Sequence, residues 1–347
     1  MKDKQVGRII YLDVARGLAV WCVVLVHMNQ LINDKNFFYK FIWTFTVPIF
    51  FVISGMLLFY NRKWEKQSIK EVIINKAKAY LYPYLTFSVL SVIFNIFYLN
   101  ILLAAKEIID TILGVGVLAL WFIPALFISE VIFAIIMKKA RKQVPVWLLI
   151  MLAITVIFNY VFTGWPSYSN HTIRFIVNIL NVINHSLIAA LFLFVGYGWA
   201  KFREKSDMTT WMKALIMVVG LAIGLALAYS YDADIHTSQL TNPVVFYIGS
   251  IASSLGILLM SEMLLEKVKI LAYSGINSLV IFSTHLNFRI VNIGYFVAKF
   301  VGTHGFLLGL IDFVVIVVIE LLIVYVINHY AKWLVSYKQL QQLKSAK

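Results

Sequence analysis

Three ionisable side chains stand in a stretch that otherwise reads as a membrane helix. Ile9 to Met28, IIYLDVARGLAVWCVVLVHM, carries Asp13, Arg16 and His27. An ionisable group at bilayer depth costs about 3 kcal/mol on insertion scales unless it faces protein or water, so each needs a reason. Arg16 and His27 are eleven residues apart. At about 100° per residue they share one helix face, roughly 16 Å apart along the axis. A guanidinium is a permanent cation whose fork suits phosphate or carboxylate. An imidazole is a base matched to neutral pH. Such a face would grip an anionic group at one end and move a proton at the other. The plain alternatives are an arginine reaching toward the inner headgroups and a histidine at the outer interface.

The elements that hold these residues are membrane helices. The chain has 347 residues, 61% hydrophobic and 13% charged, with a mean hydropathy of +0.86. Soluble domains average about 25% charged residues, so this is an integral membrane protein. The single cysteine, Cys22, excludes an internal disulfide and a cysteine-based metal cluster. The seven histidines show no ligand spacing with carboxylates, so no metal is expected. The net charge of +14 is the Lys/Arg excess that orients membrane proteins, and nothing resembles a nucleic-acid-binding module. The first apolar stretch exceeds a signal-peptide core and lacks a small-residue cleavage site, so it reads as retained.

Apolar windows give about ten spans: Ile9–Met28, Phe41–Tyr60, Leu81–Leu103, Val117–Met137, Val146–Thr163, Ile183–Ala200, Met212–Tyr229, Val244–Met260, Ile276–Val297 and Phe306–Ile327. The expectation is an all-α bundle, one polytopic domain over residues 1–347 with no separate soluble domain. Lys2, Lys4 and Arg8, the run from Arg62 to Lys78, Lys138 to Lys142, Lys201 to Lys205 and the C-terminal lysines share one side. Lys35, Lys40, Lys106, Arg174 and Lys299 mark the other. The asymmetry predicts that both termini are cytoplasmic.

Other polar lines recur. IKEVIINKAKAYL, before the third span, could lie on the membrane as an amphipathic helix. Asn178, Asn181, Asn184 and His185 form a stripe suited to sugar hydroxyls or to helix–helix hydrogen bonds. In the ninth window Ser278, His285, Arg289 and Asn292 fall near one line, predicting a wet cavity. Asp312 and Glu320 interrupt the tenth; Glu320 could pair with Arg289 or mark a proton path.

With these residues on the page, the chain resembles the membrane acyltransferase-3 family. RGLAVWCVVLVH is similar to its Arg-ten-His element, and VPIFFVISGMLLF to its second-span FF-x-x-SG element. NKAKAYLYPYL resembles its basic segment before a proline, LWFIPALF its Trp-Phe element, and SGINSLVIFSTH its late Ser-to-His element. The five stand in the family's order. Lys76 and Lys78 replace the family's usual arginines, and Ala79 stands where a further basic residue is common. The fused extracytoplasmic domain of some relatives has no counterpart.

The resemblance implies transfer of an acyl group, acetyl by default, from cytoplasmic acetyl-CoA or another acyl-CoA to a hydroxyl of an extracytoplasmic or lipid-linked glycan. It implies a plasma-membrane, multi-pass enzyme without a permanent cofactor, in contact with lipids and compatible with an oligomer. Arg16, Lys76 and Lys78 would hold the phosphates, and the thin pantetheine arm would reach along the first helix to His27. His27 would be the general base, or would carry the acyl group transiently. Asp13 would orient Arg16. Ser278 and His285 would orient the acceptor or stabilise an oxyanion, with Trp121, His185 and Arg289 lining the acceptor side. The rival class is a transporter or flippase for a polysaccharide component or small anion, using the polar lines as a pathway; a membrane scaffold is a third reading.

Overall fold

The computed structural model describes residues 8–28, 37–98, 100–162, 171–230, 233–236, 239–302 and 305–345. Of the orienting lysines, Lys2, Lys4, Lys35 and Lys347 lie outside the described residues. The architecture is all-α. In chain order the helices are α1 (Ile10–Val26), α2 (Phe37–Phe45), α3 (Pro48–Tyr60), α4 (Lys63–Lys66), α5 (Ile69–Lys76), α6 (Tyr82–Phe97), α7 (Ile101–Ile112), α8 (Phe122–Lys139), α9 (Val144–Phe162) and α10 (His171–Lys205). They continue as α11 (Thr210–Leu227), α12 (Pro243–Met263), α13 (Lys269–Ile276), α14 (Ser278–Thr284), α15 (Ile290–Phe300), α16 (Gly305–Tyr330) and α17 (Tyr337–Ser345). Two short strands, β1 (Ala233–Asp234) and β2 (Gln239–Leu240), pair antiparallel between α11 and α12.

Among the described residues, eight helical stretches are long and apolar enough to cross a membrane. They correspond to eight of the ten windows. The remaining two are α1, at 17 residues, and the segmented run α13–α15. Helix α1 sits at the centre, packed against α2, α3, α12, α13 and α14. Leu12, Val14, Ala15, Ala19, Val20 and Val24 are all enclosed. Protein rather than lipid surrounds it, which is how it tolerates Asp13 and Arg16.

Two glycine crossings set the bundle. At Gly17 an added Cβ would lie 1.9 Å from the Leu271 carbonyl oxygen; at Gly275 it would lie 1.7 Å from that of Asp13. Helices α1 and α13 therefore touch backbone to backbone, and Trp21 Nε1 donates to Ser274 Oγ at 2.9 Å beside the contact. Gly55 and Gly196 do the same for α3 and α10. Small residues allow this approach, and van der Waals contact is the attraction left between helices in lipid. The Ser-Gly pairs of the sequence are thus packing devices.

Two expectations change. The segment Ile69–Lys76 does not lie apart as a surface helix. It starts with a capping box, Ser68 with Glu71, and runs through a π-helical turn (Ala77–Leu81) into α6, one helix from Ile69 to Phe97. Pro83 explains the turn: proline has no N–H for the ladder and its ring clashes with the carbonyl four residues back, so a wider turn precedes it. The ninth window is not one straight helix either. It breaks at Asn277 and again after Thr284, and Arg289 takes the left-handed conformation at φ 55°. The predicted polar line therefore fails beyond His285: Arg289 and Asn292 are exposed. Arg289 sits over the Tyr98 ring at 5.1 Å. Glu320 does not pair with it and instead meets Thr284 Oγ at 2.6 Å.

Candidate active site

At the Arg16 end of α1 charges of both signs interlock. Asp13, 6% exposed, accepts from Arg8 Nε at 2.5 Å and lies 3.8 Å from an Arg16 nitrogen. Arg16 is also near enough to Tyr80 and Glu130 to act electrostatically on them. Glu130, 2% exposed, is ion-paired with Lys76 and accepts from Tyr80 Oη at 2.8 Å. The helix through Ile69–Phe97 presents Lys76 and Tyr80 together, one on each side of the start of the π turn. The cluster holds three cations (Arg8, Arg16, Lys76) and two carboxylates (Asp13, Glu130), one positive charge in excess. Lys78 is not part of it; its ammonium lies over the Tyr337 ring at 5.4 Å. Glu130 escaped the sequence reading, although a lone carboxylate in the apolar run FIPALFISEVIF was the available signal.

At the other end of α1 lies a cavity of about 260 Å³. Its wall is formed by Val23, Val26 and His27 of the first span, Trp43 and Val47, Leu118, Ala119 and Trp121, Phe282 and Leu286, and the hairpin residues Asp234, Ile235 and His236. Trp121 is set there by an unusual turn. Gly116 at φ 81° and Leu118 at φ 48° precede it, and a Cβ at Gly116 would lie 2.3 Å from the Trp121 nitrogen. His185, 5% exposed, backs the wall with its ring 4.8 Å from Trp121. This cavity reaches down α1 to Val23, and Arg16 is not in its wall. Ser278, half-buried at the start of α14, and Arg289 are not in the wall either.

The histidines form a directed pair. His285 is fully enclosed, its Nδ1 2.9 Å from the Ile281 carbonyl oxygen and its Nε2 3.3 Å from His27 Nδ1. A carbonyl only accepts, so His285 Nδ1 carries the hydrogen. With both rings neutral, His285 Nε2 is then an acceptor and His27 Nδ1 must donate to it. The lone pair of His27 is left on Nε2, the nitrogen not turned to His285. Trp43 packs edge-on to the His27 ring at 6.3 Å and 80°. An oriented imidazole with its lone pair on Nε2 in a mostly apolar cavity can take a proton from a hydroxyl and return it to a leaving group.

The structure thus brings Asp13, Arg16 and Lys76 together at one end, and His27, His285, Trp121 and His185 at the other. Asp234, His236 and Trp43 were missed from sequence. The run DADIH in the connection between the seventh and eighth windows was a usable signal for the first two; only packing reveals Trp43.

Comparison with known proteins returns one finding. A family model described as an acyltransferase domain matches residues 9–329, nearly the whole chain. No curated protein and no solved structure gives a significant match.

Proposed function

The chain belongs to the membrane acyltransferase-3 family, and we propose that it is an O-acyltransferase. It moves an acyl group, acetyl by default, from cytoplasmic acyl-CoA to a hydroxyl of an extracytoplasmic or lipid-linked glycan, in the plasma membrane. The observation that carries this reading is His27, with its lone pair at Nε2, in the wall of the cavity.

Each end of α1 has a task. Arg16 and Lys76, in a cluster that with Arg8 carries one positive charge in excess, receive the phosphates of coenzyme A; Lys78 adds a point charge on the approach. Asp13 and Glu130 hold the two cations in place. The roughly 16 Å of α1 between Arg16 and His27 matches the reach of a pantetheine arm. Ala19 and Val20, between the ends, are fully enclosed, so admitting the arm displaces their neighbours. His27 Nε2 takes the proton of the acceptor hydroxyl as its oxygen attacks the thioester carbon. The carbon–sulfur bond then breaks, and the imidazolium gives the proton to the departing thiolate. The charge that appears on His27 is shared through Nδ1–H with His285 Nε2.

The test uses the purified chain in nanodiscs with acetyl-CoA, following release of the coenzyme A thiol. Wild type should release it. His27→Ala should slow release by about 10²- to 10⁴-fold, the usual contribution of a positioned general base, with an unchanged circular dichroism spectrum. Movement of a sugar or anion into liposomes with no thioester consumed would replace the enzyme by a transporter.

A further inference from the structure

The cavity over His27 has an apolar part and a polar part. Val23 and Val26 of α1, Val47 just before α3, Phe282 of α14 and Leu286 just after it form a surface suited to an acyl chain and a thioester. The β1–β2 hairpin forms the roof, contributing Asp234, Ile235 and His236. Two groups on this roof, a carboxylate and an imidazole, can hydrogen-bond, and neither serves the donor half of the reaction.

The roof is a built surface. The Asn159 side chain, 2% exposed on α9, grips the Leu240 backbone from both sides: it donates to the carbonyl oxygen and accepts from the amide at 2.7 Å. Ile235 is 4% exposed. The His236 ring lies 5.6 Å from Trp121 at 35°, and 6.4 Å from His185 at 27°. The amide of one helix and the rings of two further elements thus fix a pair of two-residue strands that could otherwise pair only weakly. Asp234 is near enough to act electrostatically on both His27 and His236. A carboxylate has about four lone-pair positions, so it can accept from a ligand while keeping its present partners.

We propose that Asp234 and His236 form the acceptor subsite, binding neighbouring hydroxyls of one glycosyl unit so that one of them faces His27. This rests on the acyltransferase reading. It adds what that reading leaves open: the acceptor is recognised as a diol, by the hairpin. A carboxylate that accepts from two adjacent hydroxyls distinguishes a sugar from a simple alcohol, and an imidazole beside it supplies a donor to a third oxygen. The same chemistry serves a free saccharide and a lipid-linked one.

The experiment uses the full chain in nanodiscs, with methyl β-glucoside as the soluble probe, monoglucosyl diacylglycerol as the membrane-held one and ethanol as the mono-alcohol. Thiol release from acetyl-CoA is measured for wild type, Asp234→Asn and His236→Gln. The expected result is a KM for the glucoside about tenfold higher or more in Asp234→Asn, the loss of one charged hydrogen bond, with the KM for acetyl-CoA changed by less than about twofold. A larger stimulation by the glycolipid than by the soluble glucoside assigns the site to lipid-linked sugar; the reverse assigns it to free saccharide. An unchanged glucoside KM in Asp234→Asn, a parallel rise in both KM values, or equal stimulation by ethanol would overturn the subsite. If wild type consumes no thioester, the acyltransferase reading fails. Quenching of Trp43 and Trp121 fluorescence by the glucoside then decides the subsite by itself: quenching lost in Asp234→Asn keeps it, and no quenching in wild type removes it.

Discussion

The sharpest consequence of the histidine pair concerns His285, which does not line the cavity. Its Nε2 accepts from His27 Nδ1, and its own Nδ1 is spent on the Ile281 carbonyl. Replacing it by leucine puts an apolar side chain of similar size there and removes that acceptor, while the Val23 backbone remains a partner of the His27 ring. The loss is then the net worth of one hydrogen bond, about 0.5–1.5 kcal/mol. Were all of it lost in the transition state, where His27 becomes charged, kcat would fall about 2- to 13-fold, one decade per 1.36 kcal/mol. His285→Gln is the control. Its side-chain oxygen reaches the position of the lost Nε2 and still accepts, so it should recover most of the rate. The assay is thiol release at saturating acetyl-CoA, paired with ¹⁵N NMR of histidine-labelled protein. Wild-type His27 should show hydrogen on Nδ1, and His285→Leu a mixture. A His285→Leu protein with wild-type kcat, or a wild-type His27 carrying its hydrogen on Nε2, would refute the chain of donors.

Two further outcomes test the scaffold. Gly17→Ala places a methyl group 1.9 Å from the Leu271 carbonyl oxygen, backbone against backbone. The expected loss is about 3 kcal/mol, the upper end for overpacking, read as a lower Tm in detergent; an unchanged Tm would mean that α1 and α13 are not in contact. Glu107, 4% exposed on α7 outside the candidate spans, accepts from Asn95 Nδ2 at 2.8 Å and Ser91 Oγ at 3.2 Å. Burial is the main cause that raises its pKa above the ordinary glutamate value. The folded state therefore holds this proton more tightly than the unfolded state, and stability falls as pH rises through the folded pKa. Glu107→Gln should be more stable than wild type near neutral pH, with the gain shrinking as pH drops to the ordinary glutamate range; a gain independent of pH would contradict this.

Much of the bundle was legible because membrane helices announce themselves by composition alone. Ten apolar windows correspond to the eight long helices, α1 and the α13–α15 run. The windows could not show where a helix breaks. The turn at Leu286–Arg289 has no proline or glycine, so a periodic reading continued through it and carried Arg289 and Asn292 onto a face they do not share with His285. The site divides along the same line. Arg16 and His27 were readable because both lie on one unbroken helix, where spacing determines direction. The partners Glu130, Asp234 and Trp43 come from other helices or loops, and their approach depends on crossings that sequence periodicity does not encode; His285 was named through the resemblance, but its contact with His27 was not. Lys76 shows the cost: the resemblance placed it near phosphate chemistry, but only the fold shows that Glu130 already holds it.

One helix therefore has two jobs, and its residues separate them by angle. Arg16 and His27 fall within about 20° of each other, whereas Gly17 and Trp21 lie about 100–140° further round. On the proposed reading the first face carries the chemistry. The second fixes where α13 crosses, through the Gly17–Gly275 contact and the Trp21–Ser274 hydrogen bond. His285 follows Gly275 by ten residues along α13 and α14, so the crossing at one end of α1 sets the height at which the second imidazole meets the first. A change of one residue between Gly275 and His285 would turn that ring by about 100° and move it about 1.5 Å along the axis. The 3.3 Å contact with His27 would not survive that. On this argument the distance from the Ser-Gly pair to the late histidine is as constrained as the distance from Arg16 to His27. A single-alanine insertion after Leu279 should abolish thiol release while leaving the α1–α13 crossing, and with it most of the thermal stability, in place.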